Sequence, residues 1–166
     1  MTKTKKLVFL SVLVSLAFIL SYVEMLLPPI YSAIPGIKIG LANIIIIFLL
    51  YKFSFKSALL VSLLRVILVS ALFGNAVMFV YSLSGAVLSL CLMVILKKTN
   101  RFSSISVSVI GGVAHNLGQI IVAIILMQTP QIAFYMAVLA ISGTLSGVAV
   151  GIISAYVLKY TKKLKF

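Results

Sequence analysis

Short clusters of basic residues separate long apolar segments along the whole chain. The apolar segments cover approximately residues 7–27, 36–51, 57–73, 76–96, 104–127 and 132–158. A helix needs about 20 apolar residues to cross about 30 Å of hydrocarbon, so the second and third segments are short for a complete crossing. Either the lysines beside them extend to the membrane surface, or one of the two enters the membrane without crossing it.

The composition supports a membrane rather than an aqueous environment. Of the 166 residues, 63% are hydrophobic and 9% are charged, whereas soluble domains are about half apolar and a quarter charged. Helices that pack in water need one polar face each, and these segments are apolar on nearly all sides. The sequence therefore predicts an all-α, polytopic membrane protein, a bundle of about six transmembrane helices that forms one integral membrane domain over residues 1–166.

The positions of the basic residues predict the orientation of the helices. Fourteen Lys and Arg stand against one acid, and all but Lys38 and Arg65 fall on alternate connections between segments. Basic connections remain in the cytoplasm, so both termini are expected there, in the cytoplasmic membrane of a bacterium, with anionic lipid as a contact. The clusters lack interleaved aromatic residues, which argues against a nucleic-acid partner. The alternating residues are Lys3, Lys5, Lys6, Lys52, Lys56, Lys97, Lys98, Arg101, Lys159, Lys162, Lys163 and Lys165.

A few polar side chains lie within or beside the apolar segments and form the candidate ligand-binding site. Such groups are costly in lipid, so they line a cavity or pair with one another. The candidate residues are Glu24, Lys38, Asn43, Arg65, His115, Asn116 and Gln119.

Two of these residues leave alternatives open. His115 and Gln119 share a small, polar face of the fifth segment, and His115 forms either a helix-to-helix hydrogen bond or part of a pocket open to the outer side. Arg65 cannot lose its proton and needs a partner. That partner is either Glu24, the single carboxylate, or an anionic or carbonyl-bearing ligand. The expected cavity is lined by the first, second, third and fifth helices.

Small residues recur at helical spacing in three segments. They allow helices to approach closely in lipid, either within the bundle or against a partner protein. Ser11 and Ser15 in the first segment are the best candidates for docking a partner. The other two sets are Ser82, Gly85 and Ser89, and Gly143, Gly147 and Gly151.

The chain lacks the residues that several enzyme classes need. It has no glycine-rich phosphate loop for ATP hydrolysis, and active transport would require a partner. A single acid cannot build the carboxylate clusters that hold magnesium against a diphosphate. With one cysteine and one histidine as well, no metal site or catalytic set is predicted, and the chain is not expected to be an enzyme.

Several motifs resemble those of the Gx transporter family, which is also labelled heptaprenyl diphosphate synthase component I. They are Pro35-Gly36-Ile37-Lys38-Ile39-Gly40-Leu41-Ala42-Asn43, Leu63-Leu64-Arg65, Tyr81-Ser82-Leu83-Ser84-Gly85 and Ala114-His115-Asn116-Leu117-Gly118-Gln119. The resemblance covers nearly the whole chain.

The resemblance implies three alternative roles. The family is similar to the S components of energy-coupling-factor (ECF) transporters, six-helix proteins that bind vitamins and dock, through small residues of the first helix, on a transmembrane coupling subunit driven by ATPases. Family members also resemble components found beside flavin-transfer and quinone-synthesis proteins, which implies a membrane subunit of a quinone- or flavin-linked extracellular electron-transfer assembly that binds a quinone. The third and least favoured role is a non-catalytic partner of a heptaprenyl diphosphate synthase. No cofactor is expected other than a bound quinone or a vitamin-like ligand.

The predicted orientation can be tested by labelling introduced cysteines with an impermeant reagent. Thr2→Cys, Asn75→Cys, Asn100→Cys and Gln131→Cys should react from outside the cell only at positions 75 and 131, because positive loops stay in the cytoplasm. Labelling at position 100 would contradict the orientation.

Overall fold

The structure, a computed structural model, describes residues 2–26 and 40–163. These residues form six α-helices and no strand. The helices are α1 (Lys3–Leu26), α2 (Asn43–Lys52), α3 (Phe55–Phe73), α4 (Ala76–Lys98), α5 (Ser104–Met127) and α6 (Met136–Tyr160), with short 3-10 segments at Pro130–Tyr135 and Thr161–Lys163. All α-helices except α2 are long and apolar enough to cross a membrane. The predicted all-α, polytopic membrane fold is confirmed.

Capping side chains set where three of the helices begin. Ser54 Oγ accepts the Ser57 N–H before α3, Asn75 Oδ1 accepts the Met78 N–H before α4, and Ser103 Oγ accepts the Ser106 N–H before α5. Each bond satisfies a donor that has no partner within its helix, which matters most where lipid replaces water. These polar residues therefore allow short connections between long apolar helices.

Helix α2 occupies the centre of the bundle. All seven residues from 44 to 50 are buried, and α2 contacts α1, α3, α5 and α6. Ten helical residues are about 15 Å long, or about half of the hydrocarbon thickness. The first part of the predicted second segment, residues 36–39, lies outside the described residues. The described part is thus an internal helix covered by its neighbours rather than a helix that faces lipid.

One end of the bundle collects basic side chains, and we call it the basic end. There Lys52 Nζ donates to Thr161 O at 2.8 Å, so the carboxyl ends of α2 and α6 lie side by side. Lys97 at the end of α4 donates to Leu50 O. The ring of Phe9, near the start of α1, stacks on that of Phe53 with 5.3 Å between centroids. The start of α1 and the end of α6 therefore lie at the same end of the bundle.

The opposite end, which we call the far end, contains the last residues of α1 and α3. The Tyr22 ring lies 4.9 Å from the Phe73 ring, centroid to centroid. Helix α1 packs mainly on α3, and most of its side chains are exposed at the bundle surface, including Ser11 and Ser15. Both serine hydroxyls bond to carbonyl oxygens of α1 itself. Docking through these two serines stays a prediction.

Glycines bring α4, α5 and α6 into close contact. A Cβ atom at Gly147 of α6 would lie 2.6 Å from Val109 Cα of α5, and one at Gly118 of α5 would lie 2.7 Å from Ser84 O of α4. Contacts this short to backbone atoms leave no room for a side chain. The small residues of α4 and α6 therefore pack within the bundle, which was one of the two predicted roles.

Gly147→Ala tests this close packing. Alanine has the higher helix propensity by about 1 kcal/mol, but the added methyl group collides with α5 backbone, and overpacking costs about 1 to 3 kcal/mol. We expect a lower thermal unfolding temperature in detergent. Ala149→Leu adds more volume on the exposed face of the same helix and should leave the unfolding temperature nearly unchanged. Equal or greater stability of Gly147→Ala would contradict the packing.

Candidate functional site

A polar cavity of about 40 Å³ lies inside the bundle at the start of α2. This central cavity has room for about three water molecules, or for one carboxylate-sized group. Its wall is built from α1, the chain just before α2, and helices α2, α3, α5 and α6. The lining residues are Glu24, Gly40, Asn43, Arg65, Ser108, Gly112, His115, Asn116, Ser146, Gly147 and Val150.

Gly40 lies just before α2 and connects this end of the helix to α1 through a hydrogen bond. Its φ of +75° lies in the left-handed region that glycine adopts without strain. In this conformation the Gly40 N–H donates to Glu24 Oε1, and a Cβ atom would lie 3.2 Å from Asn43 Nδ2. The glycine therefore brings the carboxylate of α1 and the amide of Asn43 to the same wall of the central cavity.

Helix α5 supplies the middle of the cavity wall. Asn116 is buried, and its Nδ2 donates to Leu139 O of α6 at 2.7 Å. This bond fixes the rotation of α5 against α6 and keeps His115 on the cavity side. On α4, a Cβ atom at Gly85 would lie 2.9 Å from His115 Cε1. Only glycine therefore accommodates the imidazole at this position.

Arg65 of α3 borders a second cavity as well. This side cavity, of about 30 Å³, lies between α1, α3 and α4 and is lined by Ser21, Glu24, Met25, Arg65, Val66, Val69, Ser70 and Ser82. Arg65 Nη1 donates to Ser21 Oγ at 3.4 Å, a long bond. Arg65 Nε is buried and has no hydrogen-bond partner within residues 2–26 and 40–163. The guanidinium thus retains unused donor capacity beside Glu24, which lines both cavities.

The central cavity brings together five of the seven predicted site residues: Glu24, Asn43, Arg65, His115 and Asn116. Gln119 lies half-buried one turn further along α5 and lines neither cavity. Lys38 lies outside the described residues. Whether any of these residues binds a ligand stays a prediction.

Helix α6 also forms part of the cavity wall, although the sequence did not predict this. This helix contributes Ser146, Gly147 and Val150, two of which carry no polar side chain. The one available signal was Ser146, a polar residue that lies between Gly143 and Gly147 in a glycine-rich segment. Within the described residues, no three His, Cys, Asp or Glu side chains are grouped as metal ligands would be.

A bundle of apolar helices around a small polar cavity defines an integral membrane protein with a candidate binding site in its interior. The family described as heptaprenyl diphosphate synthase component I matches residues 13–157, and the chain belongs to this family. No curated protein and no solved structure gives a significant match.

Asn116→Leu tests the bond that joins α5 to α6. Interhelical hydrogen bonds in membranes contribute about 0.6 kcal/mol on average and up to about 1.7 kcal/mol, so we expect a small fall in thermal stability. Leu117→Ala, at an exposed position next to Asn116, is the matched control and should unfold close to the wild-type temperature. An Asn116→Leu variant as stable as wild type would show that the bond does not hold the helices.

Proposed function

We propose that the protein is a membrane-embedded substrate-binding subunit, similar to an S component, that takes up a small anionic or carbonyl-bearing molecule. The observation that carries the proposal is the Arg65 guanidinium, which lines an interior cavity with polar residues and has no partner for its Nε–H in the described part of the chain. A charged group inside a membrane bundle is energetically costly unless it has a full set of partners, and such groups commonly mark functional sites. An acceptor oxygen of a ligand would supply the missing partner.

The other cavity residues suit the same ligand. The Asn43 amide lines a further point of the central cavity, while Glu24 already accepts the Gly40 N–H. An amide donor beside an arginine favours a carboxylate or carbonyl oxygen over a cation. A volume of about 40 Å³ accommodates the polar group of such a ligand rather than a whole vitamin. A larger ligand therefore requires α1, which packs mainly on α3, to move outward.

Uptake would depend on partner subunits. The family description names a component of a synthase, which itself implies an assembly with other proteins. In the proposed arrangement the termini face the cytoplasm, and the basic end meets anionic lipid and the energising subunits. The exposed Ser11 and Ser15 of α1 would allow a partner helix to approach closely. This subunit would have a binding role and no catalytic one.

The paired substitution Arg65→Met and Glu24→Gln tests the role of Arg65. If Arg65 only neutralises Glu24, each single variant loses several kcal/mol of stability, and the double variant recovers it together with ligand binding. If Arg65 anchors a ligand, the double variant folds but loses about 1.5 to 3 kcal/mol of binding free energy, or about 10- to 100-fold in affinity.

The measurement is mass spectrometry of small molecules that co-purify with the gently isolated protein, followed by thermal unfolding with and without the recovered molecule. Ser89→Ala, a buried serine that lines neither cavity, is the control and should retain the ligand. A double variant stabilised by the molecule as strongly as wild type would rule out anchoring by Arg65.

A further inference from the structure

The side cavity lies nearer the far end of the bundle than the central cavity does. Met25 is next to the last residue of α1, and Ser70 is three residues before the end of α3. The central cavity extends towards the basic end, as far as Ser108 near the start of α5. Arg65 and Glu24 line both, so they lie where the two cavities adjoin.

The wall of the side cavity contains both polar and apolar residues. Ser21, Ser70 and Ser82 line this cavity together with Arg65. Ser70 is 7% exposed, and its hydroxyl has no hydrogen-bond partner in the described part of the chain. The Arg65 Nε is likewise buried without one in those residues. Two unsatisfied polar groups therefore meet at one small cavity.

Buried polar groups of this kind are satisfied by water when there is room for it. A water molecule needs at least about 10 to 15 Å³ and two to four polar partners. The side cavity offers about 30 Å³, together with three hydroxyls and two charged groups. It therefore meets both requirements for about two water molecules.

We propose that the side cavity is a water-binding site that connects to the far end of the bundle, and that Arg65 separates it from the central cavity. Water there solvates the guanidinium from the side of α1, α3 and α4. A polar ligand then reaches the central cavity from the far end when the Arg65 side chain moves aside. The proposal that water occupies the side cavity depends only on the cavity itself. The proposal that a ligand passes through it to the central cavity rests on the proposed function.

Introduced cysteines test the hydration. Silver ion is about as small as water, does not cross lipid and reacts with the thiolate, which forms only where water solvates it. In a Cys91→Ala background, Ser70→Cys and Ser82→Cys should react at least about tenfold faster than matched controls. The controls are Ser62→Cys on α3, buried like Ser70, and Ser84→Cys on α4, half-buried like Ser82, and both control serines line neither cavity.

The reaction is followed in reconstituted vesicles and chloride-free buffer by denaturing samples at intervals and labelling the remaining thiols with a maleimide. Equal rates at the cavity and control positions would overturn the hydration, whether or not the protein binds a ligand. If Ser70→Cys and Ser82→Cys react quickly but no ligand co-purifies with the protein, the water site stands and only the proposed uptake function is contradicted.

The separating role of Arg65 has its own readout. Ser146→Cys, which lines only the central cavity, should react with silver at least about tenfold faster when combined with Arg65→Ala. Arg65→Gln is the second variant in case the alanine variant does not fold, and the rate at Ser70→Cys in each background checks that the side cavity is intact. A rate at Ser146→Cys that does not depend on residue 65 would overturn the separation.

Discussion

The burial of residues 44–50 of α2 determines how the other helices are arranged. A ten-residue helix cannot reach both membrane surfaces, so at least one of its ends lies within the bundle, where its polar backbone groups must be satisfied by the protein. At its carboxyl end, Lys97 donates to Leu50 O and its Nζ lies 5.3 Å from the centroid of the Tyr51 ring. At its amino end the chain turns through Gly40, and the central cavity begins. The short helix thus leaves the space in which the candidate site forms.

The two sides of the bundle are held together differently. Helices α4, α5 and α6 meet through glycines at backbone contact distance, so they behave as one closely packed unit. Helix α1 packs mainly on α3 and presents most of its side chains to the surroundings. Both cavities touch α1 through Glu24. A movement that enlarges the site therefore costs least at α1, because fewer contacts are lost there.

Much of the fold and part of the site followed from the sequence. The ends of several helices were predictable because apolar segments are separated by polar residues such as Asn75 and Ser103. Their side chains accept a backbone N–H from the first turn of the following helix. The polar residues of the site were visible because lipid makes each of them costly. Periodicity placed His115 and Gln119 on one face of α5, but it does not reveal how far along the helix a cavity extends, and Gln119 lies beyond it. The burial of α2 on all sides was not predictable either, because a lipid-facing helix and a central helix are equally apolar.

The depth of Arg65 has an electrical consequence. The residue lies eight positions before the end of α3, or about 12 Å along the helix, roughly 0.4 of a 30 Å hydrocarbon layer. A membrane potential of about 100 mV acts on a whole crossing with about 2.3 kcal/mol per charge. It therefore acts on the guanidinium with about 1 kcal/mol. A movement of the Arg65 guanidinium along the membrane normal would therefore depend on the membrane potential.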